Sequence, residues 1–363
     1  MMKRSVAEKM FLVFFIPSVI FFYLIYKYPL WFVNDVSELM FLGKNLSFWY
    51  ALFYTILVDV LAMKVLLGKK NVYSVNKKQP GHLSSYQFWK FVSIVIVQTV
   101  VFFGFPYVIG PLLAGNSFWS DVPAIASKKA HIYIYPGFLN WGLAAYLFVL
   151  IPATVWFLGK RYCTWFCSCG NLAETVGSTK WGQKWVRQGT PRGERAKNFE
   201  HLETIVLSFV LLFGFLLLLD STQIITADSV VDEMKNTQDL VIDLIFGSIV
   251  GVGAYPFLGT RVWCRYGCPL AKGMQLVGRF TRSRFRVKAN ENCTGYNLCS
   301  RACPMGIDVA SYAHVDRKPI MGSFGLEEPC IGCGGCISIC PTQGLKFQSI
   351  FNKPIRVNSE NYK

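Results

Sequence analysis

Apolar residues in this chain gather in long runs, with the polar residues collected between them. Six runs are long enough, or nearly so, to cross a hydrocarbon layer of about 30 Å. They lie at 10–26, 47–67, 88–109, 139–158, 203–219 and 240–258. Each predicts a helix, because a backbone in lipid must satisfy its own hydrogen bonds. Buried helices of a soluble protein do not account for a run such as Ile205–Leu219. The segments between the runs alternate in charge. Lys69, Lys70, Lys77 and Lys78 follow the second run. Lys160, Arg161, Lys180, Lys184, Arg187, Arg192, Arg195 and Lys197 follow the fourth. Arg261, Arg265, Lys272, Arg279, Arg282, Arg284 and Arg286 follow the sixth. The segment after the fifth is acidic, with Asp220, Asp228, Asp232, Glu233 and Asp239. Positive-inside logic places both termini and the cysteine-bearing segments on the cytoplasmic side of a bacterial or archaeal inner membrane. Lys3, Arg4 and Lys9 before Met10–Tyr26 imitate a secretory signal. No small-residue cleavage site follows, so this run reads as an uncleaved span.

Composition agrees. Of 363 residues, 53% are hydrophobic, which is too apolar for a soluble globule. The net charge of +16 fits cytoplasmic loops and lipid contact, and no nucleic-acid motif accompanies it. The basic stretch Arg279 to Lys288 suits an anionic inner leaflet or a solvated linker.

The twelve cysteines carry the chemistry. Cys330-x2-Cys333-x2-Cys336-x3-Cys340-Pro341 is the bacterial ferredoxin run. Three thiolates on a loop rich in glycine (Gly332, Gly334, Gly335) meet one cubane, and the fourth serves a neighbouring one. Such thiolates must stay reduced, which argues for a cytoplasmic site over a disulfide framework. Upstream stands a variant half, Cys293, Cys299 and Cys303-Pro304, with Tyr296 where a second cysteine belongs. By the crossed pattern, Cys330, Cys333, Cys336 and Cys303 hold an intact [4Fe–4S] cluster. Cys293, Cys299 and Cys340 are left one thiolate short, at a [3Fe–4S] or [4Fe–4S] site.

A second pattern repeats. Phe157-Leu158-Gly159-Lys160-Arg161 leads to Cys163-x3-Cys167, and Phe257-Leu258-Gly259-Thr260-Arg261 leads to Cys264-x3-Cys268. Both follow spans of the same direction, so the repeat is parallel. Cysteines four apart share one face of a helical turn. Two facing pairs would supply four thiolates to a third cluster at the membrane edge, with Arg161, Arg261 and Arg265 offsetting its charge or capping helix ends. Cys169 is then the one cysteine left over: a spare thiol, a substitute for Cys167, or a fourth ligand for the short site.

The spans, the paired Cys-x3-Cys motifs and the two-cluster tail together resemble the NapH/NosR-type membrane polyferredoxins, over roughly residues 90–350. The resemblance implies an iron–sulfur electron-transfer subunit of a respiratory oxidoreductase. It would exchange electrons between the quinone pool, or another subunit of a membrane redox complex, and its clusters. Assembly factors of the CcoG type carry similar spans and clusters, so electron donation during metalloenzyme maturation is the alternative. Ser168 in place of a proline and Tyr296 in place of a cysteine depart from the family pattern. No flavin domain precedes the spans, so no flavin is expected. No histidine lies mid-span, so no haem is expected either. The quinone-site residues are His201 and Glu203 at the inner end of the fifth run and Asp59 inside the second, where a carboxylate is functional by default. Lys64 snorkels to the inner face or pairs with Asp59.

The expected fold is mainly α. A polytopic membrane helical bundle of about six spans with a parallel internal repeat occupies 1–275. A C-terminal ferredoxin-like α+β dicluster domain follows at 285–350, then a tail at 351–363.

Overall fold

A computed structural model of the chain describes residues 5–27, 31–32, 41–44, 46–68, 83–113, 115, 144–186, 189–221 and 228–348. Six long helices build the first part. They are α1 (Val6–Lys27), α2 (Leu46–Leu67), α3 (Ser85–Leu113), α4 (Tyr146–Leu150 continuing as Ile151–Leu158), α5 (His201–Ser221) and α6 (Asp228–Thr237 continuing through Gln238–Val250 and Gly251–Gly253). The tail at 351–363, His82, His131 and the lysines at 69–78 lie outside the described residues.

Four stretches are long and apolar enough, by length and composition, to cross a membrane: Glu8–Ile25, Phe48–Leu67, Ser85–Leu113 and Ala196–Asp220. The two remaining expected spans fall short of that measure. The fourth begins outside the described residues. The sixth, expected over 240–258, is the shorter apolar helix Leu240–Gly253. There Ala254 leaves helical geometry (φ −83°, ψ 1°), and Pro256 opens a separate one-turn helix, Tyr255–Leu258. The long helices turn their apolar side chains outward. Only 6% of the first stretch and 33% of the last is buried within the protein. Faces of this kind are stable against lipid and not against water, as befits a membrane protein.

The repeat seen in the sequence is also a repeat of backbone. Each copy breaks its helix at a glycine of positive φ, Gly159 at +65° and Gly259 at +81°. A one-turn helix follows, Tyr162–Trp165 or Val262–Tyr266, and carries the first cysteine. The helix then ends, so the second cysteine does not share its face, contrary to the expected single turn. Cys167 (φ −72°, ψ 125°) and Cys268 (φ −81°, ψ 109°) are extended residues. They stand at the N-termini of the next helices, Ser168–Ser178 and α7 (Pro269–Phe280). The exposed amides there favour a thiolate.

Gly159 is required twice over. Its backbone lies in the left-handed region, and a Cβ there would sit 2.5 Å from the Phe285 ring. Gly159→Ala is expected to destabilise by about 2–4 kcal/mol, combining backbone strain with overpacking. A thermal melt in detergent measures it, beside Gly273→Ala, where a Cβ meets nothing within 4 Å.

After α7 the chain forms a small head with strands β1 (Val287–Ala289), β2 (His314–Val315), β3 (Lys318–Pro319), β4 (Ser323–Phe324) and β5 (Leu345–Phe347). β1 is the centre of an antiparallel sheet ordered β4-β1-β5, with Val287 opposite both Phe324 and Phe347. The head does not hang on a solvated linker. Ile151 and Val155 of α4, Ala271 and Met274 of α7, and Phe285, Met305 and Ile331 of the head form one buried cluster. Within the basic stretch, Ser283 Oγ donates to Val155 O at 2.7 Å, and Arg286 pairs with Glu327 at 2.6 Å.

Candidate metal centres

Three groups of thiols emerge. Cys303, Cys330, Cys333 and Cys336 line a single small pocket, walled by apolar side chains such as Met305, Ile331 and Phe324. The loop that carries three of them is bent by Gly332 (φ +64°) and Gly334 (φ +72°). This bending turns backbone N–H groups onto sulfur: Gly332 donates to Cys330, Gly335 to Cys333, and Met305 and Ile307 to Cys303. Burial pushes the Cys333 thiol up to about 11 and raises Cys330 and Cys303, while these amides pull the other way.

Among the described residues, no three His, Cys, Asp or Glu side chains converge so as to hold one metal ion. Thiols arranged around a cavity, and not meeting at a point, suit a sulfide-bridged cluster better than a lone zinc. The residues present therefore fit an iron–sulfur group.

The second group is Cys293, Cys299 and Cys340, which are electrostatic neighbours. Gly344 N donates to Cys340 Sγ at 3.2 Å. Tyr296, at the position of the missing cysteine, is turned to the surface and is 62% exposed. Cys336 has Cys299 among its electrostatic neighbours, so the two head groups adjoin.

The third group joins the repeats. Cys163, Cys167, Cys264 and Cys268 are mutual electrostatic neighbours beyond the C-terminal ends of α4 and α6. The Cys167 thiol is drawn down to about 7, chiefly by the Cys169 thiol, against burial and with help from Gly170 N–H and Arg261. Cys169 belongs here. Its thiol neighbours include Cys167, Cys264 and Cys268. It rides the first turn of Ser168–Ser178, two residues from Cys167.

A buried polar bridge links the third group to the first. Arg261 Nη1 donates to Cys163 O at 3.0 Å and lies 3.8 Å from Cys264 Sγ, while Nη2 pairs with Glu174 Oε2. The other Glu174 oxygen receives Lys90 Nζ at 2.6 Å, and Lys90 also donates to Cys333 O at 3.0 Å. All three side chains are at most 4% exposed. Gln87 adds a bond to Cys333 O at 3.0 Å, and Tyr86 OH donates to Gly332 O at 2.6 Å. The N-terminal end of α3 thus grips the cysteine loop of the head. Sequence reasoning passed over Lys90 and Glu174. A lysine near the start of an apolar run, and a carboxylate among basic residues, were the available signals.

The expected arginine roles separate. Arg161 stacks on Tyr86, Phe285 and Phe347, with ring centroids 4.5–5.3 Å away. Arg265 pairs with Glu200 at 2.9 Å and bonds Pro191 O at 2.6 Å. Arg261 is the one bonded at the thiols. The residues expected at a quinone site keep separate partners. Asp59 accepts from Thr99 Oγ1 at 2.7 Å, and no described ion pair joins it to Lys64. Glu203 is buried 3.9 Å from Lys272, whereas His201, two residues away, is exposed.

The thiol groups and the helical base are those of a membrane-bound iron–sulfur protein with a ferredoxin-like head. Residues 285–341 match the 4Fe-4S dicluster domain family. An uncharacterized protein of Methanocaldococcus jannaschii is 35% identical over 98 residues, which is 27% of this chain and 34% of that protein. Ferredoxin-type protein NapH of Haemophilus influenzae is 28% identical over 95 residues, 25% of this chain and 31% of that protein. Methylamine utilization ferredoxin-type protein MauN of Paracoccus denitrificans is 25% identical over 243 residues, 62% of this chain and 78% of that protein. The first two matches span about a third of the length of those relatives. No solved structure matches. These likenesses support a NapH-type polyferredoxin with an iron–sulfur electron-transfer role.

Proposed function

We propose that the chain is the membrane electron-transfer subunit of a respiratory oxidoreductase, conducting between the quinone pool or a membrane partner and its own clusters. Cys330, Cys333, Cys336 and Cys303 would hold one cubane. Cys293, Cys299 and Cys340 would hold a second cluster, and Cys163, Cys167, Cys264 and Cys268 a third. When bound, such clusters supply single-electron transfer and no bond-making chemistry. The chain's own residues do the rest: they exclude water, fix the spacing of the sites and set the surrounding charge. The observation that carries this reading is the Arg261–Glu174–Lys90 bridge, which joins the backbone of Cys163 to that of Cys333. The basic segments beside the head support an inner-membrane protein with the head and both termini in the cytoplasm.

Glu203 is the favoured proton carrier at a quinone site, being buried at the inner end of α5 with Oε1 lacking a hydrogen-bond partner. In liposomes containing a quinol, the purified chain is expected to show reduced cluster signals by EPR. Glu203→Gln should slow that reduction about a hundredfold or more, in the range of a lost proton-transfer group, and leave the dithionite-reduced spectrum unchanged. Clusters that dithionite reduces and no quinol does would remove the quinone from this reading.

A further inference from the structure

Lys160 sits in the three-residue turn Gly159–Arg161, between α4 and the helix carrying Cys163. Its side chain is 0% exposed, and its Nζ has no hydrogen-bond partner among the described residues. An ammonium buried in this way is costly unless a counter-charge stands near. The turn cannot move aside, because Gly159 is pressed against Phe285 of the head. The neighbouring buried cations, Lys90 and Arg261, already share the Glu174 carboxylate. The electrostatic neighbours of Lys160 include thiols of two separate groups: Cys163 and Cys264 at the membrane edge, and Cys330 in the head. Glu203 is a further neighbour. It lies beside Lys272, and burial pushes its carboxyl up to about 8, so it supplies little negative charge near neutral pH.

Resting on the reading that these thiol groups bind clusters, we propose that the Lys160 ammonium is a shared counter-charge for the membrane-edge site and the intact head site, holding the reduction potentials of both above what the thiolates alone would give. A thiolate-ligated cubane is anionic and becomes more so on reduction. A fixed cation in a dry site therefore favours the reduced form. One cation near two sites acts on both at once, so its removal lowers both potentials together. Lys160 touches no reacting atom and acts as a positioning charge.

The test uses the full chain in detergent. Lys160→Met keeps the length of the side chain and removes the charge. EPR-monitored redox titration should show both couples shifted at least tenfold toward the oxidised form, 59 mV for a one-electron couple. Iron and sulfide content should match the unaltered protein. Lys160→Arg should restore both potentials, and Lys197→Met, at an exposed lysine, should move neither. A shift of one couple alone, or of none, in a fully loaded Lys160→Met protein would overturn the proposal. If Lys160→Met does not assemble, Lys160→Arg decides: unchanged potentials support a charge role, and displaced potentials or failure to assemble contradict it. Absence of the edge cluster from the unaltered protein would instead defeat the reading beneath it, and iron analysis separates the two cases.

Discussion

Glu174→Ala is expected to be among the most destabilising single substitutions in the chain. The carboxylate is 4% exposed and is shared by Lys90 and Arg261, both fully enclosed. Removing it leaves two cations in a dry interior, and breaking one buried pair already costs about 3–5 kcal/mol. A fall of about 10 °C or more in the thermal midpoint in detergent should follow. By contrast, Lys197→Ala, which removes an exposed pair with Glu328 at 3.8 Å, should change stability by less than about 1 kcal/mol. The pH dependence has a definite sign. Burial alone would raise the Glu174 carboxyl, but Lys90 and Arg261 outweigh it and hold it below its ordinary value. Its contribution is therefore fully present above the ordinary carboxylate range and is lost as pH falls through the depressed value. Acid should loosen the head from the helices in the unaltered protein, and Glu174→Gln should flatten that loss. An unaltered acid profile in Glu174→Gln would show that the bridge does not hold the two parts together.

Cys264→Ser should stop electron transfer through the chain while leaving the head signals intact. Cys264 is buried, faces Arg261 and belongs to the membrane-edge group, yet is joined to Cys333 through the bridge. A serine oxygen is a harder and poorer ligand for iron than a thiolate. Loss of a ligand should exceed the 10–100-fold effect typical of an outer-shell change. The variant should lose about one cluster's worth of iron and slow quinol-dependent reduction of the head on the order of a hundredfold or more. Retained quinol turnover would place the route elsewhere.

Much of this arrangement was legible in the chain. Phe-Leu-Gly-x-Arg before Cys163 and again before Cys264 announced a duplicated motif, and positive φ at Gly159 and Gly259 shows why the glycine recurs. The head was legible from cysteine spacing, since each loop must bend to aim three sulfurs at one cavity. The sites of Cys167 and Cys268 were read less well. A spacing of four suggested one helical face, whereas the chain ends the helix and uses the amides of the next one. Counting thiols left Cys169 open between a spare, a substitute for Cys167 and a head ligand, because a count carries no distance; its structural neighbours include Cys167, Cys264 and Cys268. Lys90 and Glu174 were invisible because they are 84 residues apart and acquire meaning only when α3 meets Ser168–Ser178. The sixth span was overestimated because apolar residues continue past Ala254, where the backbone turns.

Iron and acid-labile sulfide analysis of the anaerobically purified full chain tests the membrane-edge centre most directly. Three clusters are expected, or about eleven to twelve iron atoms per chain, with Cys264→Ser lowering the content by about four. About eight or fewer in the unaltered protein, with no change in Cys264→Ser, would contradict it.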